Sequence, residues 1–388
     1  MRETVVVFSH LPWNFPCDYV KQTCLELAKR AKVILFNPQV PFSFWKFLLN
    51  RKAREKYYSF LGREKTLRIY KFFPLGILPL QRFKIIEKTN IIFGLLFFKI
   101  FYLFHFGLQK PILWTFSSEL KDLIPKKRKI LIYDRVDQIA SLDPEDNKRM
   151  KEQDHSLLEI ADYIFVNSPY AFRYVKKYNQ ASFLVPCGCA VNLFSGHKII
   201  KPREIKKNKR PIIGLIGSLD HRLDFEIIYP LAQKRKDWDF VFIGTPLSND
   251  LAQFKLINLK SWLNKLKKLH NIYFLGKKPK EKIPNFIANF DVCLIPYKTS
   301  LEFVKGCNPM KLYEYLAMSK PVVSTPIEAV KQCSPTVKIA NDASGFEKAI
   351  EKFLRTQDNK DEIEKRKMIA SENSWEEKAQ KMWEIISA

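Results

Sequence analysis

Glycine is scarce in this chain, with 12 residues in 388 against 31 phenylalanines, which argues against collagen-like and loop-dominated architectures. No Gly-x-Gly-x-x-Gly run follows a first strand. Gly214 and Gly217 come nearest, and their spacing does not fit a dinucleotide cofactor. Histidine is rarer still, at six scattered residues, and none lies at ligand spacing beside a cysteine. The seven cysteines contain no Cys-x-x-Cys pair, and Cys187 and Cys189 are too close for an ordinary disulfide or a paired metal site. Structural thiols in a reduced, cytoplasmic setting are expected. The start lacks a basic stretch, an apolar run and a small-residue cleavage site in series, so no signal peptide is read.

Charge, by contrast, is abundant and one-sided. Lys and Arg number 66 against 40 Asp and Glu, a formal net charge of +26. Such a field favours nucleotides, anionic lipid surfaces or nucleic acid. Nucleic acid is set aside, since no compact binding-module signature is present and the aromatics follow core-like patterns. Residues 46–71 carry nine basic and two acidic side chains, interleaved with Phe47, Tyr57, Tyr58, Phe60 and Tyr70. Residues 91–108 are then almost wholly apolar apart from Lys99 and His105. Their length approaches a membrane span, but a lysine at mid-membrane costs a few kcal/mol. A core helix feeding the strand at Ile112 is one reading. A monotopic contact of residues 42–110 with an anionic membrane surface is the other.

Short β-branched or aromatic runs alternate with helical patterns along the whole chain. Strands are expected at Thr4–Phe8, Val33–Phe36, Ile112–Phe116, Ile130–Tyr133, Tyr163–Asn167 and Ser182–Val185. A second series follows at Ile212–Ile216, Phe240–Ile243, Ile272–Leu275, Val292–Ile295, Val322–Ser324 and Thr336–Ile339. The alternation predicts two α/β, Rossmann-like doubly wound domains facing each other across a cleft. The divisions expected are a first domain at 1–196, a basic linker at 197–210, a second domain at 211–361 and a C-terminal helix at 362–388. That last segment, with Trp375 and Trp383 as anchors, has the option of packing back on the first domain. The default site is the cleft, where parallel strands end.

The segment Cys307–Pro326 is the most informative. Pro309 suits a first helical position, and the helix start offers free amides and a positive dipole end to a diphosphate. Lys311 adds a charge-assisted donor, and Glu314, one turn on, has a carboxylate fit for two ribose hydroxyls. A surface helix with a Lys–Glu pair explains the spacing equally well. Asp134 and Asp137 follow a buried strand, where one of them could take a proton from an acceptor hydroxyl; pairing with Arg135 or capping is the structural alternative. His10 and Trp13 follow the first strand, and acceptor contact and packing are equally open for them. The acids at Asp143–Asp146 read as a helix start rather than a metal site.

NPMKLYEYLAMSKPVVSTP, at 308–326, resembles the donor signature of group-one glycosyltransferases of the GT-B fold. Residues 211–244 are similar to that family's phosphate loop, and 274–297 to its nucleotide-base region. Residues 132–142, 157–175 and 185–194 resemble the end of its acceptor domain. The resemblance implies a transferase moving a sugar from a nucleotide-sugar donor to a glycan or lipid-linked acceptor in cell-surface polysaccharide synthesis. Retention of configuration is implied, with no cofactor and no bound metal. By the same resemblance Gly217 and Ser218 approach the diphosphate, Arg222 binds it, and Asp224 orients Arg222 or touches the sugar. Gly276, Lys278 and Ile283 lie along the base, Glu314 holds the ribose, Tyr297 packs by the sugar or phosphate, and Asn308 belongs to the donor-binding set. Two departures stand out: Gly306 occupies the place of a usual sugar-contacting glutamate, and Ser218 that of a usual arginine. They leave open a non-catalytic nucleotide-sugar binder, and a sugar-nucleotide epimerase shares the fold.

Overall fold

The computed structural model describes residues 3–9, 11, 13, 19–37, 42–61, 69–72, 75–78, 84–136, 144–196, 199–205, 210–245, 257–356 and 360–388. The first domain is built on β1 (Thr4–Phe8), β2 (Lys32–Phe36), β3 (Ile69–Phe72), β4 (Ile112–Thr115), β5 (Ile130–Arg135), β6 (Tyr163–Val166) and β7 (Ser182–Leu184). Its helices include α1 (Tyr19–Leu27), α2 (Phe44–Leu49), α3 (Arg51–Leu61), α4 (Lys84–Phe106), α5 (Pro144–Ile160) and α6 (Pro169–Val175). The run Thr-Val-Val-Val-Phe of β1 is buried at all five positions, as a central parallel strand covered on both faces must be. It pairs in parallel with β2, Val5 opposite Val33, and with β4, Val5 opposite Ile112. The sheet order is β3-β2-β1-β4-β5-β6-β7. Within this sheet, β3, at the edge of a charge-dense segment, is the strand not expected from sequence, and the short pair Phe42–Ser43 and Leu75–Gly76 beside it was not expected either.

The second sheet repeats this plan. Its strands are β8 (Ile212–Ile216), β9 (Asp239–Ile243), β10 (Ile272–Phe274), β11 (Val292–Ile295), β12 (Val322–Ser324) and β13 (Val337–Ile339), in the order β10-β9-β8-β11-β12-β13. Helices α7 (Phe225–Lys234) and α8 (Met310–Ala317) flank it. In each sheet the strand order reverses beside the first strand, which opens a crevice at the strands' carboxyl ends. For the second sheet that crevice lies between the loops after β8 and β11.

Two features bind the halves together. The tail, expected as one helix, is two: α9 (Lys360–Glu372) and α10 (Trp375–Ser387). The Ser374 hydroxyl accepts a hydrogen bond from the Glu377 amide at 3.1 Å, an N-cap that starts a new helix. The Cys189 amide donates to the Asn373 carbonyl and the Trp375 amide to that of Cys189. Past this crossing, Met382 and Ile386 of α10 join the core of the first domain. The linker runs against the second domain, with Ile205 in its core and the Ile200 amide on Asn285 at 2.9 Å.

The expectation of a core helix at 91–108 holds for one face of α4 only. Phe98 packs with Phe8, Phe36 and Phe72, whereas Ile92, Leu96, Phe97, Ile100, Leu103 and Phe104 face outward. A helix apolar all round is laid on a sheet that covers one side. Among the described residues, no helix is long and apolar enough to cross a membrane.

Candidate active site

The crevice of the second sheet begins where β8 and β9 both end in Ile-Gly. Gly217 has φ of 125° and Gly244 of 149°, conformations that L side chains rarely adopt. The Gly217 amide donates to the Ile243 carbonyl at 2.9 Å. A Cβ on Gly244 would collide with the Gly217 carbonyl, so the two loops meet backbone to backbone. Beyond them the Ser218 amide makes no hydrogen bond among the described residues. The Tyr315 hydroxyl of α8 accepts from the Ile216 amide at 2.9 Å, which fixes α8 against the end of β8.

This clamp sets the side chains. Lys311 Nζ lies 5.0 Å from the Tyr297 ring centroid, and a Cβ on Gly217 would stand 2.5 Å from that amine. Arg222 is held by both carboxylate oxygens of the buried Asp220, at 2.5–3.0 Å. Its guanidinium lies 5.8 Å from the Tyr297 ring and 5.7 Å from that of Phe303. Burial opposes its charge, yet Tyr297, Asp220 and Cys307 around it hold the pKa well above the ordinary arginine value. Arg222 therefore stays a cation. Glu314, buried on α8, pairs with Lys280 at 2.5 Å. The Lys311–Glu314 pair that spacing allowed is not the one formed. Lys280 and Asp220 were missed in sequence; the Asp-x-Arg run of the loop was the available signal for Asp220.

The structure distributes the other expected residues unevenly. Asp224 caps α7 by accepting from the Glu226 amide at 3.1 Å, and Asp220, not Asp224, orients Arg222. The Gly276 carbonyl accepts from the Gly244 amide at 3.1 Å. Lys278 is tied to the linker through Glu204 at 3.0 Å, and Ile283 is buried at the start of a short helix. Asn308 Nδ2 donates to the Asn167 carbonyl at 2.8 Å, so it spans the two domains. Of the readings open for Trp13, the structure carries packing: its ring lies in the first domain's core, under Lys71 Nζ at 4.4 Å. His10, Asp137 and Asp143 lie outside the described residues.

Asp134 calls for a correction. It does not open onto the cleft. Its carboxylate is 1% exposed and accepts from Tyr19 and from the Trp114 indole, each at 3.1 Å. Neither does it pair with Arg135, whose partner is Asp154 at 3.0 Å. Burial raises the Asp134 pKa to about 7, against the hydrogen bonds from Trp114 and Tyr19 and the charge of Lys378. Lys378, on α10, is buried with no hydrogen-bond partner among the described residues, and burial lowers its pKa to about 7. A lysine on the stripe Trp375, Ala379, Met382 and Ile386 was visible in sequence; what it faced was not.

The domains also meet through α6. The Tyr170 hydroxyl donates to Glu302 at 2.7 Å. Arg173 forms two bonds, at 2.5 and 2.8 Å, with Glu328. Glu302 and Glu328 belong to short helices after β11 and β12, so the first domain grips the loops that border the crevice of the second sheet.

Comparison with known proteins agrees with this geometry. Residues 210–356 match the family Glycosyl transferases group 1. A Bacillus subtilis protein, TuaH, provisionally named a teichuronic acid biosynthesis glycosyltransferase, is 29% identical over 237 residues. That match spans 59% of this chain and 57% of TuaH, little more than half of either. Among solved structures, sucrose-phosphate synthase from Thermosynechococcus elongatus superposes with a TM-score of 0.70 at 17% identity, over 100% of this chain and 98% of that one. Anabaena HepE, in complex with UDP-glucose, gives 0.67 at 14% identity, over 99% of both chains. The second domain is thus a group 1 glycosyltransferase domain, and the whole chain has the two-domain GT-B fold.

Proposed function

We propose that this chain, with its group 1 glycosyltransferase domain, transfers a sugar from a nucleoside-diphosphate donor to a glycan or lipid-linked acceptor of a cell-surface polysaccharide. The observation that carries the reading is the meeting of Lys311, Arg222 and the open Ser218 amide at the switch point of the second sheet. Those groups suit a diphosphate, on which negative charge grows as the sugar leaves. The start of α8 adds its dipole to the same place. With two cations held there, the leaving group is neutralised without a bound metal, and retention remains the stereochemistry expected. Glu314, one turn along α8, is proposed to exchange Lys280 for the ribose hydroxyls. Asp137 keeps the proposed role of meeting the acceptor hydroxyl, and Asp134, being buried, does not share it. The UDP-glucose bound by HepE supports a uridine donor. The name of TuaH supports a cell-surface polymer as product.

The donor half is tested by thermal melting with a panel of nucleotide sugars, since a ligand bound only to the folded state raises its stability. UDP-glucose is expected to raise the midpoint. Glu314→Ala, tested alongside, loses hydrogen bonds to a charged acceptor, about 1.5–3 kcal/mol, or roughly ten- to a hundredfold in affinity. Unchanged donor affinity in a folded Glu314→Ala protein removes the ribose assignment. Donor binding without release of nucleoside diphosphate, whatever acceptor is added, indicates a non-catalytic binder. Interconversion of the sugar while it stays on the nucleotide indicates an epimerase.

A further inference from the structure

The cleft wall of the first domain holds two adjoining cavities that the donor site does not use. One, of about 380 Å³, lies between the domains, with Arg135, Tyr170 and Arg173 on one side and Glu302 on the other. The second, of about 540 Å³, continues along α5 past Lys148 and His155. Lys151 and Tyr174 line both, so the cavities form one trough.

Its charges divide into those already satisfied and those that are not. Arg135 and Asp154 neutralise each other, each 1% exposed. Arg173 is taken by Glu328, and Glu302 accepts from Tyr170. Lys148, Lys151 and Lys177 remain, all exposed and without an ion pair among the described residues. Glu152 is the one lining acid in the same condition. Tyr170 and Tyr174 supply ring faces beside these amines, apolar surfaces that end in a hydroxyl. A trough of this volume, with two tyrosine rings set among many charged groups, suits a bound chain of polar rings.

The trough has a direction. Glu302, at its inner end, is followed by Phe303, whose ring lies 5.7 Å from the Arg222 guanidinium of the donor crevice. Glu302 is already engaged by Tyr170 and by Lys305 at 3.6 Å, so an anionic group is drawn instead to Lys151 and Lys177 and, farther along α5, to Lys148. We propose that the trough binds the acidic part of a glycan acceptor. Its carboxylates or phosphates lie along Lys148, Lys151 and Lys177, and its uncharged end, bearing the hydroxyl to be glycosylated, lies toward Glu302. This inference rests on the transferase reading above and adds the chemical class of the acceptor.

The test is affinity electrophoresis of the full chain through gels containing oligogalacturonate, methyl-esterified oligogalacturonate or poly(glycerol phosphate). Retardation is expected in an acidic gel and not in the neutral ester gel. Changing Lys148, Lys151 and Lys177 to Gln should weaken it about tenfold, the sum of three modest charge contacts. Removing the same charge from the far surface, as Lys236, Lys267 and Lys268 to Gln, should leave it nearly intact. Retardation by oligogalacturonate identifies carboxylate as the anion, and by poly(glycerol phosphate) alone, phosphate. Equal loss in both triple variants, equal retardation by the neutral ester, or none in any gel overturns the proposal. Binding of the nucleotide-sugar panel by the same proteins keeps the two readings apart. Binding of a nucleotide sugar from the panel with no acidic-glycan binding rejects the trough alone; binding of none of them rejects the transferase reading.

Discussion

Asp134 and Lys378 are buried in one junction, and burial moves both toward the same value from opposite sides. The ordinary Asp value is 3.8 and the folded one about 7. Between them the native chain keeps a proton that the unfolded chain has lost, so stability falls as pH rises through that window. Lys378 moves from an ordinary 10.5 to about 7. Between those values the unfolded chain holds the extra proton, so stability rises with pH. The two limbs meet in a shallow minimum near neutrality. Asp134→Asn is expected to flatten the acid limb and Lys378→Met the alkaline one, read from urea midpoints below, at and above pH 7. A midpoint curve that neither variant changes would mean that neither group titrates inside the fold. Sequence could show a carboxylate at a strand end but not where it turned. Alternation along β5 places Asp134 on the face of Ile132, and the helix that covers this face, α10, arrives more than two hundred residues later.

At the scale of elements, the strands of both sheets were legible because each is a short β-branched or aromatic run bounded by helix or loop chemistry. The edge strand β3 was not, since Ile69–Phe72 carries a lysine and sits among charges, and half-exposed edge strands lose the apolar signal. Of the proposed donor site, α8 and its loop were legible because Pro309, Lys311 and Glu314 lie within six residues. Lys280 was not, because its partner Glu314 is 34 positions away. The Ile-Gly ending shared by β8 and β9 was visible, but its reason is structural: the two loops touch through their backbones. Gly244→Ala is expected to strain a positive-φ position by about 1–3 kcal/mol and to push the loop at Gly217 away from Lys311. The chain should still fold, with a lowered melting point, and bind UDP-glucose more weakly than the melting loss explains. A variant with full donor affinity would show that the contact of the two loops serves stability only.

At the scale of the molecule, one flank of the first domain is unlike the rest. The outward face of α4 carries Ile92, Leu96, Ile100 and Leu103, with Ile85 80%, Phe104 84% and Leu108 93% exposed. Beside it, Leu48 and Leu49 of α2 are also exposed. The link between them is direct: the Trp45 indole donates to the Ile77 carbonyl, and the Leu78 amide to Asn90 of α4. Lys46 of α2, Arg51 and Lys52 of the adjoining α3 and Lys99 of α4 stand exposed. Apolar side chains in such number rarely face water without a partner, and basic groups interspersed among them match an anionic lipid surface. A lipid-linked acceptor would then reach the cleft from the side on which the first domain rests. Liposome flotation is expected to recover the protein with anionic vesicles, less as salt rises, because screening shortens the reach of the lysines. Each basic residue near such a leaflet contributes about 1 kcal/mol. Arg51, Lys52 and Lys99 changed to Gln should therefore lower recovery, and Ile92, Leu96 and Phe104 changed to Ser should lower it further. The second set faces outward, so its loss leaves the core contacts of Phe98 in place and the fold intact. Recovery that is equal on neutral and anionic vesicles, or absent from both, would take the membrane away from this face and leave α4 to be covered by another protein surface.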